Sequence, residues 1–284
     1  MWRLDELELG DLDADLTTAL TYVNEDPVYE LSVAELAAIK AVYDLYEVML
    51  GQPAPGLQPA ILIAARPILH AAYNQVQIGG RLEGLRSRIL ASTESCPYCG
   101  FGEVKDLDHY LPRGTYGELA IYPRNLVPSC GPCNNAKRTV YPGMPAAQGP
   151  GLIHAYFQPL PDEDFLHADV EFDADGTLSV TFRVDNPGMD PGLAAKLQFQ
   201  LDRLKLNARY RAQVNKYLSE QRTAMLMLHA TGDAVFSEFL QRSSAALVAS
   251  CGRNDWRVAL LRTLAADPAF CAAPERYVGP PPAA

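Results

Sequence analysis

CPYCGFGEVKDLDHYLPRGTYGELAIYPRNLVPSCGPCNNAKR, residues 96–138, carries four of the chain's six cysteines in two matched pairs, with an Asp-His dipeptide between them and three asparagines between or just after them. Cys96-x2-Cys99 and Cys130-x2-Cys133 are separated by 30 residues. Two intervening residues let both thiolates of a pair point at one ion, so each pair can form a tight knuckle, and two knuckles complete a tetrahedral S4 shell for Zn²⁺. The pairing favours structural zinc over four reduced thiols packed without metal. A shell closed by four sulfurs leaves no position for substrate, so any chemistry must come from residues the knuckles enclose.

Around this stretch, 284 residues suffice for one large domain or two smaller ones, and exclude a disulfide-dependent miniprotein. A charged fraction of 20% and a hydrophobic fraction of 48% are ordinary for a soluble globular chain. No apolar run approaches the ~20 residues that span a bilayer. The opening MWRLDELELGDLDADL is acidic where an export signal is basic and then apolar, so no membrane partner and a cytoplasmic location are expected. In that reducing compartment Cys-x-x-Cys pairs favour metal over disulfides, and Cys251 and Cys271 read as free thiols. The net charge of -10 is local: residues 1–60 hold 12 acidic and 2 basic side chains, and the remainder balances at 22 of each. A neutral remainder can still present a basic face to phosphate, whereas the acidic segment suits solvent or a protein partner.

SVAELAAIKAVYDLYEVML, residues 32–50, spaces apolar residues as a helix does after Ser32, with Glu35 three positions on as a capping box. A second helix is predicted over about 60–90, bent at Pro67 or broken at Gly79 and Gly80. VYPGMPAAQGPG, residues 140–151, reads as a loop. ADVEFDADGTLSVTFRV, residues 168–184, alternates apolar and polar residues on both sides of Asp175-Gly176, which predicts a hairpin. Helical patterning returns from about 191 to 230, followed by one or two shorter helices to about 265. Tyr43, Tyr46, Ile61, Leu62 and Leu69 read as core, and VGPPPAA as a disordered tail.

The order Cys-x-x-Cys, Asp108-His109-x-x-Pro112, Asn125-Leu-x-x-x-Cys-x-x-Cys-Asn134-x-x-Lys137 resembles the zinc-stapled branch of the HNH endonucleases, also called ββα-metal or His-Me finger nucleases. The resemblance implies an α+β fold, a mainly helical body with an inserted zinc-stapled ββα-metal finger and a β-hairpin. It divides the chain into an acidic N-terminal helical region (1–90), the finger (91–150), a hairpin with a helical C-terminal region (151–270) and a flexible tail (271–284). It implies that His109 is the general base that takes a proton from the attacking water, a role its ordinary pKa near ~6.5 suits. Asp108 would be a ligand of a catalytic divalent cation, and Asn125 would brace the loop and orient the histidine. Asn134 stands where the family's last histidine ligates the cation. An amide oxygen is a harder ligand than imidazole, which favours Mg²⁺ or Mn²⁺ there.

Two oxygen ligands leave most of an octahedral shell for water and phosphate, while adjacent strand residues point to opposite faces. Asp108 and His109 can therefore serve one site only where the strand bends, near Pro112 and the knuckles. Lys137, Arg138 and Arg113 are candidate phosphate or substrate contacts, as is Tyr116. His70, His154, His167 and His229 read as surface or packing residues. LDHYLPRGTYGELAIYPRNLVPSC, the following LIHAYFQPL and the hairpin plus helix, within about residues 90–215, further resemble the PtuB-like HNH subunit of Septu-type bacterial antiphage systems, which implies an ABC-type ATPase partner and leaves the acidic N-terminal third for assembly; the extra length and N-terminal helices equally suit another antiphage or mobile-element HNH protein. Three activities stay open: a nuclease cutting DNA, placed first, the same chemistry on RNA, and a non-catalytic zinc module binding nucleic acid or protein.

Overall fold

The computed structural model describes residues 3–145, 148–172 and 178–278. It is an α+β fold in which, among the described residues, ten α-helices accompany two two-stranded antiparallel sheets. No helix among them is long and apolar enough to cross a membrane. Two compact units divide near residue 160, one built from Arg3–Pro159 and the other from Leu160 onward. The cysteine-rich stretch shares a unit with the N-terminal helices.

The first unit opens with α1 (Leu12–Ala19) and α2 (Val33–Val48). Ser32 and Glu35 form the expected reciprocal capping box. Ile39, Val42, Tyr43 and Tyr46, at helical spacing, make the buried stripe of α2. Tyr43 stacks on Tyr122 at 4.3 Å between ring centroids. Glu47 accepts from both the Tyr122 hydroxyl and the Arg124 guanidinium. Helix α2 is thus tied through Tyr43 and Glu47 to the residues between the cysteine pairs.

The helix expected over 60–90 is instead a run of short pieces: α3 (Arg66–Ala72) and α4 (Glu83–Leu90), with 3₁₀ turns at Ala60–Leu62 and Tyr73–Val76. Pro67 sits in the first turn of α3, where its missing N–H costs nothing, and so starts a helix rather than bending one. Gly80 marks the break, because a Cβ there would lie 2.3 Å from the Gln75 carbonyl oxygen. Strands β1 (Asp106–His109) and β2 (Leu126–Ser129) then pair antiparallel, with Asp108 opposite Val127 and His109 opposite Leu126. Helix α5 (Gly131–Lys137) follows directly.

In the second unit β3 (Leu166–Phe172) and β4 (Leu178–Val184) form the predicted hairpin, in register from Leu166–Val184 to Phe172–Leu178. The Asp175-Gly176 turn lies outside the described residues, as does the tail beyond Val278. The helical stretch expected over 191–230 is two helices, α6 (Pro191–Arg203) and α7 (Leu206–His229), parted at Lys205 with φ +52°. Helices α8 (Asp233–Cys251), α9 (Trp256–Ala266) and α10 (Pro268–Ala272) complete the unit. Asn254 Oδ1 accepts the Phe165 and Leu166 amides at 2.7 and 3.0 Å, which fastens the hairpin to the start of α9. Cys271 and Val278 are buried, so the described part of the expected tail is packed.

Candidate functional site

The four cysteines come together as their spacing predicts. All four are buried, and their sulfurs lie within 4.8 Å of one another, with Cys99 Sγ 3.8 Å from Cys130 Sγ. A tetrahedral ion with bonds of about 2.3 Å would set its sulfurs about 3.8 Å apart, so the cluster fits a structural metal such as zinc. The first knuckle is closed by the Gly100 amide donating to the Cys96 carbonyl at 2.7 Å, with Gly100 at φ +81°. Gly102 lets the second pair approach: its amide donates to Cys99 Sγ at 3.3 Å, and a Cβ there would lie 2.6 Å from Cys130 Sγ.

His109 ends β1 half-buried, with Nε2 2.9 Å from the Ala120 carbonyl oxygen. A carbonyl only accepts, so the proton sits on Nε2 and Nδ1 carries the lone pair. Tyr73 packs edge-on against the ring at 4.4 Å, and Tyr73 in turn lies under Arg113, whose guanidinium carbon is 4.8 Å from its centroid. Burial above all, joined by the positive charges of Arg113 and Lys137 and opposed by the bond to Ala120, pushes the His109 pKa down to about 3. The imidazole is therefore neutral at physiological pH, and a weaker base than the ordinary value expected from sequence.

Asp108 differs from its expected setting. It is 2% exposed, its Oδ2 accepting from the Tyr98 hydroxyl at 2.8 Å and its Oδ1 from Lys137 Nζ at 3.0 Å. Burial pushes its pKa up, and the Lys137 charge opposes that. Lys137 is fully buried and also donates to the His109 carbonyl at 2.8 Å, so its ammonium is held inside the unit and is not displayed to a phosphate. Lys137→Met is accordingly expected to cost about 3 kcal/mol or more by leaving the Asp108 carboxylate buried without its cation. Denaturant unfolding checks this, and adding Asp108→Leu should recover most of the loss. A surface phosphate contact would instead change nucleic-acid binding and leave stability untouched.

Asn134 meets Asp106 rather than Asp108, its Nδ2 donating to Asp106 Oδ2 at 3.3 Å. Both line a cleft of about 470 Å³ together with Asp108 and His109, while Arg86, Arg113 and Arg138 give it a basic wall. Arg138, exposed at the end of α5, adopts φ +54° and ψ -128°, a conformation costly for a non-glycine residue. Of the Lys137-Arg138 pair only Arg138 faces the cleft. Tyr116, expected as a substrate contact, is buried with its ring edge-on to Tyr141. His70, read from sequence as a surface or packing residue, also lines the cleft.

Asn125 is fully buried and braces the loop between the strands through both ends of its amide. Oδ1 accepts the Leu111 amide at 2.8 Å, and Nδ2 donates to the carbonyls of Leu111 and Leu119, each at 3.1 Å. The next carbonyl is the one that holds His109. Sequence reasoning missed Asp106, although its place two residues before Asp108 on a strand is a period-two signal; the cleft roles of His70, Arg86 and Tyr73 had no local signal.

No family model matches the chain, and no solved structure matches it. Over 140 residues, 46% of the chain, it is 31% identical to protein ea31 of Escherichia phage lambda. That match spans 45% of the phage protein, less than half its length.

Proposed function

We propose that this chain is a metal-dependent endonuclease of the HNH type, hydrolysing phosphodiester bonds, with DNA ahead of RNA as substrate. The observation that carries the reading is a strand–strand–helix unit stapled by four cysteines, which sets a neutral histidine of fixed tautomer in a basic cleft beside carboxylate and amide oxygens. His109 Nδ1 accepts the proton of the attacking water. Arg138 and Arg113 neutralise the phosphate, and its charge near His109 raises that imidazole's basicity. The donor set of Asp106, Asp108 and Asn134 is made of hard oxygens and fits Mg²⁺ or Mn²⁺ better than a soft metal. When bound, such a cation stabilises negative charge developing on the phosphate and leaving oxygen. Asp106 and Asn134 are the more open of the three, since Asp108 already holds Lys137 and Tyr98.

Resemblance alone extends this reading to bacterial antiphage defence with an ABC-type ATPase partner, and the exposed acidic side chains of the first 60 residues are compatible with a protein contact. The test is incubation of the purified protein with plasmid, linear DNA and tRNA, with Mg²⁺ or Mn²⁺ and with EDTA. Cleavage that requires the added cation and stops with EDTA is expected. No cleavage of any substrate under any cation, from zinc-loaded protein, would leave a non-catalytic zinc module that binds nucleic acid or a protein.

A further inference from the structure

Tyr46 and His154, 108 residues apart, meet at a hydrogen bond of 2.9 Å in the interior of the first unit. We propose that they are positioning residues: they orient the Asn125 amide and, through the loop it braces, the carbonyl that holds the His109 imidazole. This rests on the nuclease reading for its effect on catalysis.

The direction of each hydrogen bond that links His154, Tyr46 and Asn125 can be deduced. The Tyr156 backbone N–H can only donate, and it lies 3.2 Å from His154 Nδ1, so that nitrogen is unprotonated and the ring proton is on Nε2. His154 Nε2–H therefore donates to the Tyr46 hydroxyl oxygen. Tyr46 in turn donates to Asn125 Oδ1 at 3.0 Å. Together with the Leu111 amide, which donates to the same oxygen at 2.8 Å, this fixes which end of the amide is oxygen, and Nδ2 is left to face the Leu111 and Leu119 carbonyls. Ala120, the next residue, presents its own carbonyl to His109 Nε2. Tyr46 and Asn125 are fully buried and His154 is 1% exposed, so water cannot replace a lost partner.

The fold makes room for this arrangement. Gly51 sits at φ +73°, and a Cβ on it would lie 2.3 Å from His154 Cδ2. Tyr110 and Phe157 hold the imidazole from other sides, with centroids at 4.1 and 4.5 Å. Burial, with the Lys137 charge, keeps His154 neutral well below its ordinary range, so the donor order does not change near neutral pH.

Tyr46→Phe removes one hydroxyl and keeps the ring that packs edge-on to Tyr122. Steady-state cleavage is measured on the zinc-loaded full chain with Mg²⁺, at a temperature where circular dichroism shows wild type and variant equally folded. The expected result is a kcat lower by roughly tenfold to a hundredfold with KM within about twofold, as for a displaced catalytic group. His154→Phe should lose as much, and the double variant no more than either single change. If Tyr46→Phe does not fold, His154→Phe carries the same expectation. Ring-nitrogen NMR of His109 reads the effect without substrate: one Nε2–H tautomer in the wild type and a mixture in the variants. A wild-type kcat in the variants, losses that multiply in the double variant, or an unchanged His109 tautomer would overturn the inference. A changed tautomer in a protein that cuts nothing would instead uphold the positioning and sink the nuclease reading.

Discussion

His109→Ala is expected to lower cleavage by roughly 10² to 10⁴, the usual worth of general-base catalysis, while substrate affinity and the metal content of the four-cysteine site stay as they were. The substitution removes the lone pair on Nδ1, together with the Nε2 bond to the Ala120 carbonyl and the ring contact with Tyr73, and leaves the rest of the site in place. Asn125 keeps both contacts to Leu111 and the one to Leu119, so the loop stays braced without its neighbouring imidazole. The buried pair of Lys137 and Asp108 does not use the His109 side chain, because Lys137 bonds the backbone carbonyl of that residue. Arg113 retains its place over Tyr73. Since the lost interaction would be made only as the water is deprotonated, the loss should fall on kcat and not on KM. Single-turnover cleavage and gel-shift binding on matched samples measure the two separately. Cutting by His109→Ala at the wild-type rate would remove the HNH mechanism with His109 as its base.

Which features could be read in advance follows from their range along the chain. The cysteine cluster was legible because two residues between thiols fix local geometry whatever surrounds them. Ser32 with Glu35, and the alternation on either side of the β3–β4 turn, were legible for the same reason. The pairing across the cleft was not. Asn134 and Lys137 are three apart on a helix, and Asp106 and Asp108 are two apart on a strand, so both pairs show one face. The sequence matched Asn134 to Asp108, whereas the helix lies one pleat away, with Asn134 on Asp106 and Lys137 on Asp108. Nothing within the stretch sets that offset. The same limit hid Tyr46 and His154: Tyr46 reaches Asn125 across 79 residues and His154 across 108. Charge counting caught the acidity of the first 60 residues and missed what the buried stripe on α2 does, which is to build one wall of the unit that holds the site.

Cys130→Ser is expected to strip the metal and unfold the strand–strand–helix unit rather than to slow any reaction. A structural zinc contributes on the order of 10 kcal/mol to forming a small metal domain, as large as the whole net stability of about 5–15 kcal/mol of an ordinary one. The regular elements of this stretch are too short to hold it on their own. The β1–β2 pairing is four residues long, and a lone two-stranded hairpin is marginal in water. Helix α5 has seven residues, too few to hold its shape alone. The readouts are metal content per molecule, the thermal transition, and proteolysis within 96–138; a variant lacking metal that melts and resists protease like the wild type would sink the claim. Serine makes the test sharp because Cys130 is the N-cap of α5, where it makes no side-chain capping bond. A serine there is among the better caps, worth about 1 kcal/mol over a non-capping residue, so the substitution should favour the helix if it acts on the helix at all. Any loss of structure must then come from the missing thiolate, the one change that opens the tetrahedral shell.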